Sequence, residues 1–436
     1  MISDWKKHYK EKLMSADEAV KLVESGERWA TTHATAESML LAEALCRRAH
    51  ELQGVKLWQG LNWGGAPYCK PEYEGHLIVE TCFCGPHTRA AVSERRGMFE
   101  PMNVSMTRRA FATSNPVDGI LAHITLPDEH GYCNMGVAVD FVSPVMASCK
   151  KIIAHVNREM PWVYGSENTV HVSKLDAIVE EDVPLLNIPP IDDTDEISTR
   201  IGEHIAELIP DGACLQMGQG KVPNAILKCL RDKKDLGIHT EVFSDNLIPL
   251  IESGVVNGKR KTIDTGKITA MFIQGSADLY KFVDRNVMIN IAPGWYTNNP
   301  INIAKNDNVC AINACLQVDL TGQVNCEWNN GKQYSGIGGQ VDFLRGAALS
   351  KNGKPILCLQ STAKHDTISR IVSVLPEGVP VSTPRVDVHW VVTEYGAVNL
   401  FGKSLEERGE ALISIAHPKF RDQLQNEFDE YWRKMR

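Results

Sequence analysis

The chain lacks any apolar run near the roughly 20 residues needed to cross a bilayer. Its opening stretch, Met1 to Lys12, is charged throughout and has no apolar segment of the signal-peptide kind. These absences predict a cytoplasmic protein with no membrane partner. Positive charge is also in deficit, with 46 Lys and Arg against 54 Asp and Glu and a net charge of −8. Such a balance gives no global attraction for phosphate backbones, so a nucleic-acid partner is not expected. Cysteine pairs at metal-ligand spacing are scarce. The 12 cysteines are scattered, mostly singly within apolar stretches such as those around Cys214, Cys310 and Cys358, and read as reduced core thiols. The closest pair, Cys82-Phe83-Cys84 followed by His87, has no second pair beside it, so no metal site is predicted.

What is present is the composition of a globular protein. Apolar residues make up 43%, charged residues 23%, and there are 33 Gly and 21 Pro, which excludes a disordered chain, a collagen and a coiled-coil rod. At about 150 residues per domain, 436 residues suggest two or three domains. Residues 16 to 24 place Ala16, Ala19, Val20 and Val23 on one helical face behind a Ser15/Glu18 capping-box pattern. Short apolar runs at Ala270 to Ile273, Val287 to Ile291 and Ile356 to Leu359 read as strands covered on both faces. Strands alternating with helices give an α/β fold.

The chain also repeats itself. Asp128-x-x-Gly131-x-x-Asn134 recurs as Asp319-x-x-Gly322-x-x-Asn325, and Val139-Asp140-Phe141 recurs as Val341-Asp342-Phe343. Gly26 and the helix ending at Leu45 align with Gly212 and the helix ending at Leu230. The same order in both halves predicts two related α/β domains, residues 1–195 and 196–436, meeting near the acidic, Pro-rich stretch from Val183 to Glu196.

The halves differ where chemistry is expected. Thr32-His33-Ala34-Thr35-Ala36 in the first half faces Gly218-Gln219-Gly220-Lys221-Val222-Pro223-Asn224 in the second. The four residues Met135 to Ala138 are replaced by the fifteen from Cys326 to Gln340, which include Ser335-Gly336-Ile337-Gly338-Gly339-Gln340. Glycine-rich turns before helices suit either a tight structural turn or a nest of amides for an anion. The first loop is no dinucleotide fingerprint, because its third glycine is missing. Alternation over 238–243 predicts a strand with His239 and Glu241 on one face, so Glu241 is either a solvent-facing ion-pair partner or a group at the ligand edge of the sheet. Lys221 and Lys364 are likewise solvated lysines or phosphate ligands.

These segments, together with Ser361-Thr362-Ala363-Lys364, Thr393-Glu394-Tyr395-Gly396 and His417-Pro418, carry a resemblance that spans nearly the whole chain. The sequence resembles the acetyl-CoA hydrolase/transferase family, and within it the 4-hydroxybutyrate and butyrate CoA-transferases. The resemblance implies two open α/β domains of the NagB/RpiA/CoA-transferase type with the active site at their interface, and a homo-oligomer. It implies class I CoA transfer by a ping-pong route, in which Glu241 is the nucleophile and becomes a glutamyl-CoA thioester. It places CoA contacts and oxyanion donors at Gly218, Gln219, Gly220, Lys221, Val222, Gly338, Gly339 and Lys364. Acyl-CoA and a small carboxylic acid are then the partners, CoA is a substrate, and no cofactor or metal is implied. An acyl-CoA hydrolase on the same scaffold is the alternative. Gln219 and Lys221 depart from the family pattern of a small or branched residue between the two glycines and no lysine after the second. If either faces the acyl pocket, a dicarboxylate such as succinate or itaconate becomes the substrate.

Overall fold

A parallel strand covered on both faces must be apolar along its length, and the run Ile356 to Leu359 assembles accordingly at the end of strand Lys354–Cys358. The other two differ: Ala270 to Ile273 is divided between strands Ile268–Ala270 and Phe272–Ile273, and in Val287 to Ile291 the strand starts only at Ile289 while Val287 is exposed. The computed structural model describes residues 4–190 and 194–435. The chain divides into two compact units. One comprises Met1–Pro190, Glu241–Asp245 and Ile268–Thr297; the other comprises Ile191–Thr240, Asn246–Lys267 and Asn298–Arg436. The division is interleaved: two stretches of the second half of the chain, one opening on Glu241, cluster with the N-terminal unit. Residues 191–193 of the linker-like stretch lie outside the described residues.

The first unit is built on seven parallel strands in the order Met98–Phe99, Leu77–Thr81, Val55–Gln59, Arg28–Thr31, Gly119–Ile124, Lys151–Val156, Ala177–Glu180. The order reverses direction between Arg28–Thr31 and Gly119–Ile124, which is the switch point at which doubly wound sheets open a crevice beyond their C-terminal ends. Helix Met39–Arg47 covers one face. Ser38 caps it by accepting the Leu41 N–H, and Leu41, Ala42, Ala44 and Leu45 pack onto Trp29, Leu57 and Val79. The helix expected over 16–24 is shorter. The Ser15/Glu18 capping box forms, but the α-helix ends at Ala19 and a 3-10 turn, Val20–Leu22, follows because Val23 is already extended on its way into the first strand.

The second unit contains parallel strands in the order Gly237–His239, Cys214–Met217, Val309–Ala314, Lys354–Cys358 and Trp390–Thr393, edged by antiparallel Gly396–Asn399. Its reversal falls between Cys214–Met217 and Val309–Ala314, at the position equivalent to that in the first unit. Helices Glu196–Leu208 and Lys221–Cys229 meet through Gly202, where a Cβ would stand 3.0 Å from the Ala225 and Ile226 backbone.

The repeated motifs have one local structure. Asp128 Oδ1 accepts the N–H groups of His130 and Tyr132, and Asp319 Oδ1 accepts those of Thr321 and Gln323. Gly131 and Gly322 hold φ of 85° and 95°, and each donates its N–H to the carbonyl of its aspartate. Asn134 and Asn325 each accept the N–H two residues on. The fold is therefore the same turn used twice beside the same kind of strand. Among the described residues, no helix is long and apolar enough to cross a membrane.

A pair of buried imidazoles links two central strands of the first unit. His123 and His155 are register partners whose rings stack at 4.2 Å with 6° between planes. His155 Nε2 donates to the Glu181 carbonyl and its Nδ1 accepts from Ser38, while Asn157 donates to His123 Nε2. Burial pushes the His123 imidazole well below its ordinary value, and the adjoining His155 pushes the same way. Burial also lowers His155, against the opposing pull of the Glu181 carbonyl. Both rings are neutral when folded, so stability is complete above the unfolded value of about 6.5 and is lost as pH falls below it. The loss runs at up to about 1.4 kcal/mol per pH unit for each ring. We predict a melting temperature clearly lower at pH 5.5 than at pH 7.5, and a shallower dependence in His123→Gln. Thermal unfolding followed by circular dichroism checks this, and equal melting temperatures at the two pH values contradict it.

Candidate active site

The loops at the C-terminal ends of parallel strands are where both units carry their polar and glycine-rich segments. In the first unit Glu241 is half-buried. Its carbonyl accepts two N–H groups, from Met271 at 2.9 Å and Phe272 at 3.1 Å. Val242–Phe243 then pairs in parallel with Phe272–Ile273. The single strand expected over 238–243 is thus two strands. The first ends at His239, Glu241 occupies the break, and Val242–Phe243 joins a separate ladder, so His239 and Glu241 do not share a strand face. His239 is buried instead against the Phe343 ring, 6.2 Å away. The break directs the Glu241 backbone to amides of the Met271–Phe272 segment, which fixes where its side chain starts.

That same segment reaches a second polar pair. The Met271 carbonyl accepts the Val139 and Asp140 N–H groups. The Asp140 carboxylate is hydrogen-bonded to His33 Nδ1, and the imidazole lies against Phe141 and Phe272 with ring centroids 5.4 and 4.7 Å away. Both His33 and Asp140 are buried. An aspartate on Nδ1 fixes the ring's orientation and tautomer and leaves Nε2 to face other groups. Reading the sequence missed this pair as a unit because its members are about a hundred positions apart. The only signal was that each falls in a segment already singled out by the repeat.

In the second unit, Gly218, Gln219, Gly220 and Lys221 are exposed and Val222 is half-buried, directly after strand Cys214–Met217. Gly220, at φ 134°, opens helix Lys221–Cys229 with no side chain capping it. Its amide end and the helix dipole favour negative charge at this point. Gly218 is informative in another way. Its φ is not in the left-handed region, and a Cβ added there meets nothing within 4 Å. The fold does not itself require glycine at 218, so the missing side chain leaves room for something that approaches from outside. Lys221 Nζ lies 3.6 Å from Asp195, the N-cap of helix Glu196–Leu208, so its charge is shared with a carboxylate of its own unit.

The fifteen-residue insertion is an ordered structure. An Asn330-Gly331 turn closes the hairpin Trp328–Asn329 with Lys332–Gln333, and Glu327 accepts from Gln333 and Ser382 beneath it. The chain then reaches Gly338, at φ 54°, and Gly339, which opens helix Gln340–Leu349, again without a side-chain cap. Gln340 donates to Thr383 and anchors that end. Lys364 is exposed in the turn joining Thr362–Ala363 to Ile368–Ser369. Lys364, His365 and Asp366 all have positive φ, at 50°, 55° and 60°. Ser361, at the base of the turn, is held by N–H and hydroxyl bonds to the buried Glu394. The two glycine turns and Lys364 share the C-terminal edge of the second unit's parallel strands, because each follows a strand of that ladder or opens a helix that returns to one.

Comparison with known proteins matches the chain to one family. Residues 2–188 match the acetyl-CoA hydrolase/transferase N-terminal domain and residues 275–428 the C-terminal domain of the same family. A 4-hydroxybutyrate coenzyme A transferase of Clostridium kluyveri is 43% identical over 98% of this chain and 99% of its own. A succinyl-CoA:cyclohexane-1-carboxylate CoA transferase of Geobacter metallireducens is 41% identical over 96% of this chain and 95% of its own. Among solved structures, RipA from Yersinia pestis superposes with a TM-score of 0.92 at 38% identity, covering 98% of this chain and 99% of that one. With both domains matched in order and relatives similar along the full length, the chain belongs to the acetyl-CoA hydrolase/transferase family.

Proposed function

We propose that the protein is a CoA-transferase that moves CoA from an acyl-CoA, such as acetyl-CoA or succinyl-CoA, to a short-chain carboxylic acid such as 4-hydroxybutyrate or butyrate. The observation that carries this reading is the turn at Gly218–Gly220: exposed, uncapped by any side chain, and glycine at 218 where neither backbone nor neighbours require it. Amides at a helix start suit a phosphate, a thioester oxygen or a developing oxyanion.

In the proposed reaction the Glu241 carboxylate attacks the thioester carbonyl. The C–S bond breaks, giving an acyl-glutamyl anhydride and CoA thiolate. The thiolate attacks the glutamyl carbonyl, and the first acid leaves as its carboxylate. The resulting glutamyl-CoA thioester is attacked by the acceptor carboxylate, which forms a new anhydride and frees the thiolate again. Attack of that thiolate on the acyl carbonyl yields the new acyl-CoA and restores Glu241. A carboxylate suits this role, since its anhydride and thioester keep enough free energy for onward transfer. In this reading the amides of the Gly218–Val222 and Gly338–Gly339 turns and the Lys364 charge hold CoA and the oxyanion, and binding along the CoA tail lowers the barrier at the thioester. Lys221, already beside Asp195, is less suited to reading a second carboxylate, which favours a monocarboxylate acceptor. Hydrolysis is the same chemistry with water in place of the acceptor acid. Like transfer in this scheme, it requires no redox change. A homo-oligomeric, cytoplasmic enzyme is part of the proposal.

Three predictions test it. Incubation with an acyl-CoA should place a covalent adduct on Glu241 that borohydride or hydroxylamine intercepts, read by intact and peptide mass. Glu241→Gln should abolish transfer, and Glu241→Asp should impair it by drawing the carboxylate back one methylene; full activity in Glu241→Gln excludes the assignment. Products from acetate, butyrate, 4-hydroxybutyrate, succinate, itaconate and water alone then identify the acceptor. Gly218→Ala should leave the melting temperature unchanged while lowering kcat/KM for the acyl-CoA about tenfold or more, a barrier change of about 1.4 kcal/mol. Unchanged kinetics in that variant would show that nothing approaches Gly218.

A further inference from the structure

Beneath helix Met39–Arg47 of the first unit, at the end of the sheet where strands Arg28–Thr31 and Val55–Gln59 finish, five polar side chains turn inward. Glu37 is 3% exposed; its two oxygens accept the Tyr68 hydroxyl at 2.9 Å and the Gly64 N–H at 3.1 Å. Burial pushes its carboxyl up, opposed by hydrogen bonds from Tyr68, Asn62 and Gly64. Asn62, also 3% exposed, donates through Nδ2 to Thr31 Oγ1 at 3.0 Å and to the Tyr68 hydroxyl at 3.4 Å. Its Oδ1 is buried with no partner in the protein. Gln59 is fully buried, and neither end of its amide has a protein partner.

Strand geometry brings Gln59 to the same place. Trp29 and Leu57 are register partners and both belong to the core under Leu41 and Leu45. Side chains two residues further along parallel strands point to the same face, so Thr31 and Gln59 lie side by side there. The cluster thus gathers one carboxylate, two amide oxygens that lack donors, the unpartnered Gln59 Nε2, and the hydroxyls of Thr31 and Tyr68. Buried polar groups are satisfied in stable folds, and a buried carboxylate beside two amide oxygens that find no donor in the protein calls for a positive charge.

We infer that this pocket binds a monovalent alkali cation, potassium or sodium. Hard oxygen donors suit such an ion, and one carboxylate neutralises a single positive charge; a divalent ion would leave a net charge buried beneath the helix. Among the described residues, no three His, Cys, Asp or Glu side chains converge as a site for a transition metal. In that assignment Gln59 turns its Oε1 to the ion, and its Nε2 bonds a water of the ion's shell. The ion ties the Gln59–Gly64 loop to the start of the helix, and its occupation is independent of the transfer reaction proposed above.

The test is thermal unfolding of the full chain, exchanged into choline chloride and then titrated with potassium, sodium or lithium chloride at constant ionic strength. A saturable rise in melting temperature of about 5 °C or more with potassium or sodium is expected, as for a ligand that binds only the folded state. Glu37→Gln keeps the shape and loses the charge, and should abolish the difference between the salts. Gln59→Met removes one oxygen and should shift the titration midpoint at least tenfold; it carries the test if Glu37→Gln does not fold. Broadening of the thallium resonance by the wild-type protein, reversed by potassium, reports the site directly. Equal melting temperatures in all four salts would overturn the inference and leave a protonated Glu37 with water as occupant. A cation effect that persists unchanged in both variants would overturn the placement.

Discussion

The parallel ladders of both units are covered on both faces, and that one constraint decides where polar chemistry is able to sit. Gly119–Ile124 and Cys214–Met217 are buried at every residue. A polar group along such a strand needs its own buried partner, as His123 has in His155 and Asn157. Most are displaced to the C-terminal ends, where loops leave the sheet and helices begin with unpaired amides. His33, Asn62 and the Asp128 turn of the first unit lie at that edge, and Gly218, Gly220 and Lys364 lie at the corresponding edge of the second.

From this shared plan the units diverge by loop replacement rather than by rebuilding the sheet. The Asp-x-x-Gly-x-x-Asn turn is kept, and in the second unit it is reinforced. Asp319 accepts from the Thr321 hydroxyl and the Gln323 amide as well as from the two backbone groups. That rigid turn delivers the chain to Asn325, whose side chain organises Glu327 and Trp328 and so starts the inserted hairpin. An insertion anchored at Ser382 and Thr383 positions Gly338 and Gly339 without disturbing the strands below. The added length is a platform for two glycines.

How much of this was legible in the sequence follows from the range of the interactions concerned. The repeated turns are set within seven residues by an aspartate, a glycine and an asparagine, so pattern alone located them. The glycine turns were visible for the same reason. The break at Glu241 was not, because residues 238–243 alternate as one strand; only the Met271 and Phe272 amides, thirty residues away, take the Glu241 carbonyl out of that ladder. His33 with Asp140, and Gln59 with Asn62 and Glu37, are likewise long-range or conformational facts. The same pairing explains the interleaved division of the chain, since the segments that receive Glu241 and Phe243 come from 268–297.

The turn at Lys364 shows what an edge of this kind demands energetically. A left-handed L-residue costs roughly 1–2 kcal/mol, and here three follow one another. Such a turn persists only if its surroundings over-determine it. They do: Thr362 donates to the Asp366 carboxylate, the Thr367 N–H to the Ala363 carbonyl, and the Thr367 hydroxyl to the Lys364 carbonyl. Glu394 meanwhile fixes Ser361 below. The lysine backbone is therefore held in place before any ligand arrives. If the exposed ammonium meets a phosphate or carboxylate, as the proposed function requires, only side-chain freedom remains to be lost on binding. Strain held in a turn by its own hairpin is in this sense the counterpart of Gly218: one displays a charge rigidly, the other withholds a side chain so that a ligand is able to reach the backbone.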